Sequence, residues 1–131
     1  MIINKLKIRV SYADTDQMGI VYYARYFEYF EKGRTELLRQ LGLPYSQMEQ
    51  SGIKLPVISA YCEYKKGIKY DQIIIVKTSL SNPPTSRIRM DYEILDETEN
   101  EILAKGYTTH SFVNSQGRPI KPPKNFVQLI N

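Results

Sequence analysis

Residues 11–36, SYADTDQMGIVYYARYFEYFEKGRTE, place two carboxylates, a glycine and a block of aromatic residues at the start of a long amphipathic segment. Asp14 and Asp16 lie two residues apart, and Gly19 can adopt a backbone geometry that is closed to other residues. The segment 14–20 therefore predicts a loop that leads into a helix. We hypothesise that one of the acids does chemistry and that the aromatic residues form a pocket beside the end of the helix.

The periodicity of the following residues predicts a helix over residues 23–41. Residues that recur at steps of three or four form one largely apolar stripe, which consists of Tyr26, Phe30, Gly33, Leu37 and Leu41. Gly42 follows directly and Pro44 comes two residues later, which is typical of a helix end. A short extra turn is predicted over residues 45–50.

One strand is predicted before this helix and four after it. Alternating apolar residues predict the first strand over residues 5–13. The later strands are predicted over residues 53–65, 72–80, 86–95 and 101–114. The connecting segments carry the Gly, Pro, Asn and Asp residues of turns, and the proline-rich tail is expected to run over the surface. The fold class is therefore α+β, with one long helix against an antiparallel sheet of about five strands.

Length and composition limit the class of protein. A chain of 131 residues fits one domain, residues 1–131, and it is 42% hydrophobic and 24% charged, as is usual for a globular protein. No apolar run is long enough to span a membrane and the first residues lack the features of a signal peptide, so a cytoplasmic location is expected. The net charge of +4 comes from scattered Lys and Arg, which does not favour a nucleic-acid partner.

Cysteine and histidine are too scarce for several kinds of active site. Cys62 is the only cysteine and His110 the only histidine, which excludes an internal disulfide and disfavours a zinc site or a Ser-His-Asp triad. We expect both to be ordinary packed residues rather than a nucleophile and its base. No metal and no cofactor is expected. Any hydrolytic chemistry must rest mainly on carboxylates, hydroxyls and backbone dipoles.

The segment from Asp16 to Glu36 resembles the opening of the 4-hydroxybenzoyl-CoA thioesterase family, including its YbgC-type acyl-CoA thioesterases. The shared pattern is an Asp, a Gly three residues later, two apolar residues, aromatic residues, and a helix that carries Arg and Glu. Here the pattern consists of Asp16, Gly19, Ile20, Val21, Tyr22, Tyr23, Tyr26, Glu31, Arg34 and Glu36. The resemblance covers nearly the whole chain. It implies the hotdog fold, in which a sheet wraps a central helix, and a homo-oligomer that is a dimer or a tetramer.

The resemblance also implies hydrolysis of an acyl-CoA or acyl-carrier-protein thioester to a free acid and a thiol. Asp16 matches the catalytic acid, as nucleophile or general base, and the backbone amide of Tyr23 matches the donor to the thioester oxygen. A helix N-terminus favours the negative charge that builds on that oxygen. The residues expected to contact the substrate, some of them from a partner chain, are Gly19, Ile20, Val21, Pro56, Val57, Thr85, Ser86, Arg87 and Arg89.

Two positions depart from the family pattern. Tyr23 stands where YbgC-type members commonly have a histidine, although the hydroxybenzoyl-CoA type has tyrosine there. In residues 81–89, where hydroxybenzoyl-CoA enzymes place basic side chains for the CoA phosphates, two prolines intervene and Arg87 and Arg89 are the nearest cations. The two arginines either serve the phosphates or are solvated strand charges.

Structural roles compete with these functional ones. Asp14 is expected to be a loop or cap residue, and Asp16 also has the chemistry of a turn cap. Glu31 and Arg34 are three residues apart and predict a surface pair on the helix. Residues 73–76 are apolar on both faces of their strand, so either a second subunit covers the outer face or one isoleucine stays exposed there.

Two other functions remain open from the sequence. One is a non-catalytic protein that binds acyl thioesters or serves as a scaffold. The other is a hotdog hydratase of enoyl thioesters, which in related folds uses an Asp with a His a few residues later. No histidine follows Asp16 in this way.

Overall fold

The computed structural model describes residues 1–130, apart from the side chains of residues 45, 125, 129 and 130. Within that part of the chain, five strands form one antiparallel sheet in the order β1-β3-β4-β5-β2. This arrangement and the single long helix confirm the predicted α+β class and the hotdog fold. The elements are β1 (Ile2–Arg9), α1 (Arg25–Gln40), α2 (Tyr45–Gln50), β2 (Val57–Tyr64), β3 (Ile73–Leu80), β4 (Arg87–Asp96), β5 (Ile102–Ser111) and α3 (Lys124–Ile130).

Two predicted boundaries near the first strand differ from the structure. β1 ends at Arg9 because residues 12–14 form a 3-10 turn, in which the Asp14 amide donates to Ser11 O at 3.0 Å. Helix α1 begins at Arg25 rather than at residue 23, since a turn precedes it in which the Arg25 amide donates to Tyr22 O at 2.9 Å. Its end agrees with the prediction, with Gly42 at a φ of +76° just beyond it.

Helix α1 lies against the sheet and comes closest to β1 and β3, and Gly33 allows this close approach. A Cβ atom at Gly33 would lie 2.8 Å from Val76 Cγ1 and would collide with Thr78 Oγ1, both on β3. The buried face of the helix is wider than the predicted stripe. It comprises Tyr26, Tyr29, Phe30, Gly33, Arg34, Leu37 and Leu38.

Ile75, on the outer face of β3, is buried within its own chain, which corrects both readings of residues 73–76. Ile75 is only 6% exposed, although it lies on the face opposite the helix. Its neighbours in the register are Lys7 on β1 and Leu95 on β4. The Lys7 ammonium also lies 3.9 Å from a carboxylate oxygen of Glu97 in the β4–β5 turn. Neither a second subunit nor an exposed isoleucine is required here.

Arg34 is buried, and the predicted surface pair with Glu31 is wrong. Arg34 Nη1 donates to the hydroxyl of Tyr92 on β4 at 3.2 Å. That hydroxyl lies 2.7 Å from Thr108 Oγ1, which lies 2.8 Å from His110 Nε2, and His110 Nδ1 lies 3.0 Å from Leu55 O. A carbonyl only accepts, so the proton of the neutral His110 ring is on Nδ1, which donates to Leu55 O. An arginine only donates, so in this series of hydrogen bonds Tyr92 donates to Thr108 and Thr108 donates to His110 Nε2.

Candidate active site

A cleft lies where the loop of residues 15–21 meets the start of α1 and the end of β2. The loop is closed by a bridge between Thr15 and Val21, and a second bridge joins Ile20 to Lys69, beyond β2. The cleft has a volume of about 350 Å³. Its lining consists of Asp16, Ile20, Val21, Tyr22, Tyr23, Tyr26, Tyr64, Lys65, Lys66 and Gly67.

The carboxylate of Asp16 is held in place by its own loop. Its Oδ1 atom accepts hydrogen bonds from the backbone amides of Met18, at 2.8 Å, and Ile20, at 3.4 Å. The turn closes through Gly19, whose φ of +80° favours glycine and whose amide donates to Asp16 O at 3.0 Å. Among residues 1–130, no group donates to Oδ2 of Asp16. The side chain therefore caps its turn with one oxygen and leaves the other available in the cleft.

The backbone amide of Tyr23 is a donor without an acceptor in the described part of the chain. Tyr22 N–H donates to Asp14 O at 2.9 Å and Arg25 N–H donates to Tyr22 O at 2.9 Å, whereas the amide of Ala24, like that of Tyr23, has no acceptor among the described residues. The Tyr23 carbonyl accepts from the Tyr64 hydroxyl at 3.2 Å, which ties this turn to β2. A free amide at the start of a helix suits an oxygen that gains negative charge.

Asp14 has a structural place outside the cleft. Its Oδ2 atom accepts a hydrogen bond from the Tyr29 hydroxyl at 2.9 Å, and its Oδ1 atom lies 4.0 Å from Arg25 Nε. Both partners belong to α1, so Asp14 fastens the loop to the first turns of the helix. Burial and this carboxylate raise the pKa of Tyr29 above its ordinary value.

Tyrosine rings form one wall of the cleft. Tyr26 and Tyr64 meet edge to face with centroids 4.7 Å apart, and the rings of Tyr22 and Tyr23 lie 4.7 Å apart. Burial raises the pKa of Tyr26 to about 12, so its hydroxyl remains protonated at neutral pH. The wall combines apolar ring surface with polar hydroxyl groups.

The structure separates the predicted substrate residues into two groups. Ile20, Val21 and Tyr23 line the Asp16 cleft, with Gly19 in its turn. The second group lies at the other end of the sheet, because Val57 begins the strand that Tyr64 ends, roughly 23 Å apart at about 3.3 Å per residue. That group consists of Pro56, Val57, Thr85, Ser86, Arg87 and Arg89.

A second depression of about 420 Å³ lies at that other end and contains both predicted arginines. Arg89 is engaged, since its Nη2 lies 3.0 Å from Asp91 Oδ1 and its guanidinium lies 4.0 Å from the centre of the Tyr107 ring. Arg87 has no ion-pair partner among the described side chains. Hydroxyl groups of Ser59, Thr85 and Thr109 line the same depression.

Four residues that line the cleft were not predicted from the sequence, and these are Tyr64, Lys65, Lys66 and Gly67. These residues follow β2 and lie beside Asp16 only because the sheet brings that strand end to the start of α1. The one available signal was the predicted turn at residues 65–71, whose place beside Asp16 depends on tertiary contacts.

The structure agrees that Cys62 and His110 are packed residues. Burial raises the pKa of the Cys62 thiol to about 11, which disfavours a thiolate nucleophile. His110 is fully buried with both ring nitrogens bonded, and no histidine lines the Asp16 cleft. Residues 1–130 contain no cluster of three or more His, Cys, Asp or Glu side chains suited to a metal ion. None of the described helices combines the length and the apolar character that crossing a membrane requires.

Comparisons with known proteins agree with this architecture. Residues 10–129 match a family model described as the thioesterase-like superfamily. A candidate esterase of Aquifex aeolicus is 36% identical over 122 residues, which cover 93% of each chain. The candidate acyl-CoA thioesterase YneP of Bacillus subtilis is 36% identical over 127 residues, which cover 96% of this chain and 91% of YneP. The crystal structure of a DHNA-CoA thioesterase from Staphylococcus aureus superimposes with a TM-score of 0.87 at 34% identity, covering 92% of this chain and 81% of that one.

Proposed function

The chain belongs to the thioesterase-like superfamily and is a thioester hydrolase acting on acyl-CoA, and from this premise we propose that Asp16 and the Tyr23 amide carry the reaction. The observation that supports the proposal most is that one cleft holds a carboxylate oxygen and a backbone N–H, each without a partner among residues 1–130. A thioester carbonyl placed between them would meet an attacking group and an oxyanion donor.

Asp16 acts through its Oδ2 atom. The two amides that hold Oδ1 keep the carboxylate in one orientation, which reduces the entropy lost when the substrate binds. Oδ2 either attacks the thioester carbon, forming an anhydride with loss of the thiolate, or takes a proton from an attacking water. In both routes the negative charge on the thioester oxygen is stabilised by the Tyr23 amide and by the positive end of α1.

The active unit is a homodimer that pairs through β2, with each chain acting as one domain, residues 1–131. β2 is an edge strand, and exposed apolar side chains lie along it at Val57, Ile58, Tyr61 and Tyr64. A two-fold axis that pairs two β2 strands antiparallel would bring the Val57 end of one chain beside the Tyr64 end of the other. The second group of substrate residues would then lie beside the partner's cleft. A tetramer would be two such dimers.

Arg87 is the better of the two candidates for the CoA phosphates. It is free of an acidic partner in the described part of the chain, whereas Arg89 is held by Asp91 and Tyr107. A guanidinium beside three hydroxyl groups suits a phosphate. CoA carries several phosphates, whereas the prosthetic group of an acyl carrier protein carries only one. Acyl-CoA and acyl carrier protein thioesters are therefore compared as substrates.

The test of the mechanism compares Asp16→Asn with Asp14→Asn by free-thiol release from a series of acyl-CoAs. Asn at residue 16 keeps an Oδ1 acceptor for the Met18 amide, so the turn is preserved while the carboxylate is lost. We expect kcat to fall on the order of 100-fold or more in Asp16→Asn, with little change in Tm. Asp14→Asn still accepts from Tyr29 and should stay within about tenfold of wild type.

The two routes for Asp16 are told apart by a single turnover in ¹⁸O water. Label in Asp16 identifies an anhydride that water opens at the protein carbonyl. Label only in the acid product fits both the general-base route and an anhydride opened at the acyl carbonyl, and mass spectrometry of the rapidly quenched protein separates these two by the presence or absence of an acyl group on Asp16. Full activity in Asp16→Asn would contradict both routes. A wild-type protein that binds acyl-CoAs and hydrolyses none of them would be a scaffold.

A further inference from the structure

Tyr26 is a buried residue whose hydroxyl group has no hydrogen-bond partner among the described residues. The side chain is only 3% exposed, yet it lines the Asp16 cleft. No described residue exchanges a hydrogen bond with its hydroxyl. That oxygen is also absent from the fully sealed polar atoms that lack a partner, which lie on Asn4, Arg34 and Thr78. The hydroxyl of Tyr26 therefore keeps contact with the space of the cleft.

The other buried tyrosines differ from Tyr26 in this respect. Tyr29 donates to Asp14 at 2.9 Å, and the Tyr92 hydroxyl lies 2.7 Å from Thr108 Oγ1. Tyr64, which is 45% exposed and forms the edge-to-face pair with Tyr26, also has a partner, since it donates to the Tyr23 carbonyl. Buried tyrosine hydroxyls usually find a partner because desolvation without one is unfavourable. The other tyrosines follow this rule, and Tyr26, whose hydroxyl is at the cleft, does not. We infer that the partner of the Tyr26 hydroxyl is a bound ligand.

We propose that Tyr26 is a specificity-determining residue, whose hydroxyl binds an oxygen on the acyl group and selects acyl chains that carry a hydroxyl or carbonyl near the thioester. The inference rests on the proposed function, since it takes the acyl group to occupy the Asp16 cleft. Tyr26 lies one helical turn after Tyr23, whose amide is the oxyanion donor. A substituent close to the reacting carbonyl is therefore within reach of this part of the wall.

The selection follows from desolvation. In the empty cleft, water can satisfy the Tyr26 hydroxyl, and a bound acyl group displaces that water. An acyl group with a hydrogen-bonding oxygen restores the lost bond, whereas a pure hydrocarbon leaves a buried polar group unpaired. One neutral hydrogen bond of this kind corresponds to about tenfold in kcat/KM between matched substrates.

The test uses two matched pairs of thioesters, butyryl-CoA with 3-hydroxybutyryl-CoA and benzoyl-CoA with 2-hydroxybenzoyl-CoA, in which the hydroxyl lies close to the thioester. In wild type we expect kcat/KM to favour the hydroxylated member of at least one pair by about tenfold. Tyr26→Phe removes only the oxygen atom and should abolish that preference, mainly by improving the parent substrate relative to the hydroxylated one. Tyr29→Phe is the matched control, because it removes a buried hydroxyl that is bonded to Asp14, and it should keep the preference.

Three results would overturn the inference. The first is a wild-type protein that hydrolyses the two members of each pair equally well. The second is a preference for the hydroxylated member that persists in Tyr26→Phe. The third is an equal fall in kcat on all four substrates in that variant. The last result would place Tyr26 at the reacting carbonyl instead. The wild-type comparison does not depend on the folding of any variant, and the melting temperature of Tyr26→Phe is measured beside it. Hydrolysis of none of the four thioesters by wild type would contradict the proposed function itself.

Discussion

Asp14 and Asp16 show how two identical side chains receive different roles from their surroundings. Both lie in the same loop, two residues apart. Asp14 accepts a hydrogen bond from Tyr29 on α1, whereas among the described residues Asp16 accepts side-chain hydrogen bonds only from amides of its own turn and keeps one oxygen in the cleft. The difference is one of direction, because the 3-10 turn at residues 12–14 points the first carboxylate toward the helix.

His110 gives a prediction about pH at the same scale. Burial lowers the pKa of His110 to about 4 in the folded protein, against about 6.5 in an unfolded chain. The folded state therefore favours the neutral ring, and its stability contribution is complete above pH 6.5. Between pH 6.5 and 4 the unfolded chain takes up a proton that the folded protein does not, so the free energy of unfolding falls by up to about 1.4 kcal/mol per pH unit.

Urea unfolding at a series of pH values between 7 and 4 measures this slope. His110→Gln removes the titrating ring and should flatten the slope in that interval, whatever its absolute stability. The comparison is direct because His110 is the only histidine in the chain. Identical slopes for wild type and His110→Gln would show that the ring is not held neutral.

At the scale of elements, the position of α1 on the sheet depends on Gly33. Alanine normally favours a helix over glycine by about 1 kcal/mol. At residue 33 its methyl group would collide with Thr78 on β3 and crowd Val76. We expect Gly33→Ala to lower the free energy of unfolding by about 1–3 kcal/mol despite its helix propensity, since overpacking outweighs that gain.

Denaturant midpoints of Gly33→Ala and Lys32→Ala test this expectation. Lys32 is exposed on the same helix, so its change to alanine should stay within about 0.5 kcal/mol of wild type. A Gly33→Ala protein as stable as wild type would mean that α1 has room to move away from β3. Because α1 carries the Tyr23 turn at its start, the same shift would be expected to lower activity.

At the scale of the whole molecule, the sheet holds its two groups of substrate residues at opposite ends of β2, and the proposed dimer brings them together. Complementation tests this directly. Asp16→Asn lacks the acid, and Arg87→Ala lacks the cation and should raise KM for acyl-CoA. In a heterodimer of the two, one site would combine the intact Asp16 of one chain with the intact Arg87 of the other.

The two variants are refolded together from denaturant and tested at acyl-CoA concentrations below KM. We expect the mixture to reach about a quarter of wild-type activity, because half of randomly paired dimers are mixed and each has one intact site. The recovery should shrink with a pantetheine thioester, which lacks the nucleotide. Activity no higher than the mean of the two separate variants would mean that Arg87 belongs to the active site of its own chain or to no active site. A monomer observed by light scattering would contradict the dimer.

The sequence by itself determined the class of the fold and the central part of the candidate site. The apolar period of residues 23–41 and the alternation of the strands predicted one helix and five strands, and the turn residues predicted their limits to within a few positions. Asp16, Ile20, Val21 and Tyr23 were predicted as site residues through the family resemblance of one short segment, and the structure places all four around one cleft. Such features are encoded by neighbouring residues, and a pattern can show them.

Only the tertiary structure decided what depends on residues that are distant in the chain. Arg34 reads as a surface charge on an isolated helix, but it is buried because Tyr92 and Thr108 on two other strands offer it a polar partner. Ile75 was expected either to be covered by a second subunit or to stay exposed, but within its own chain it is only 6% exposed. Tyr64 lies beside Asp16, and Arg87 lies far from it, because the order of strands in the sheet sets these distances. Local sequence carries no record of that order, since it results from long-range packing of the whole chain.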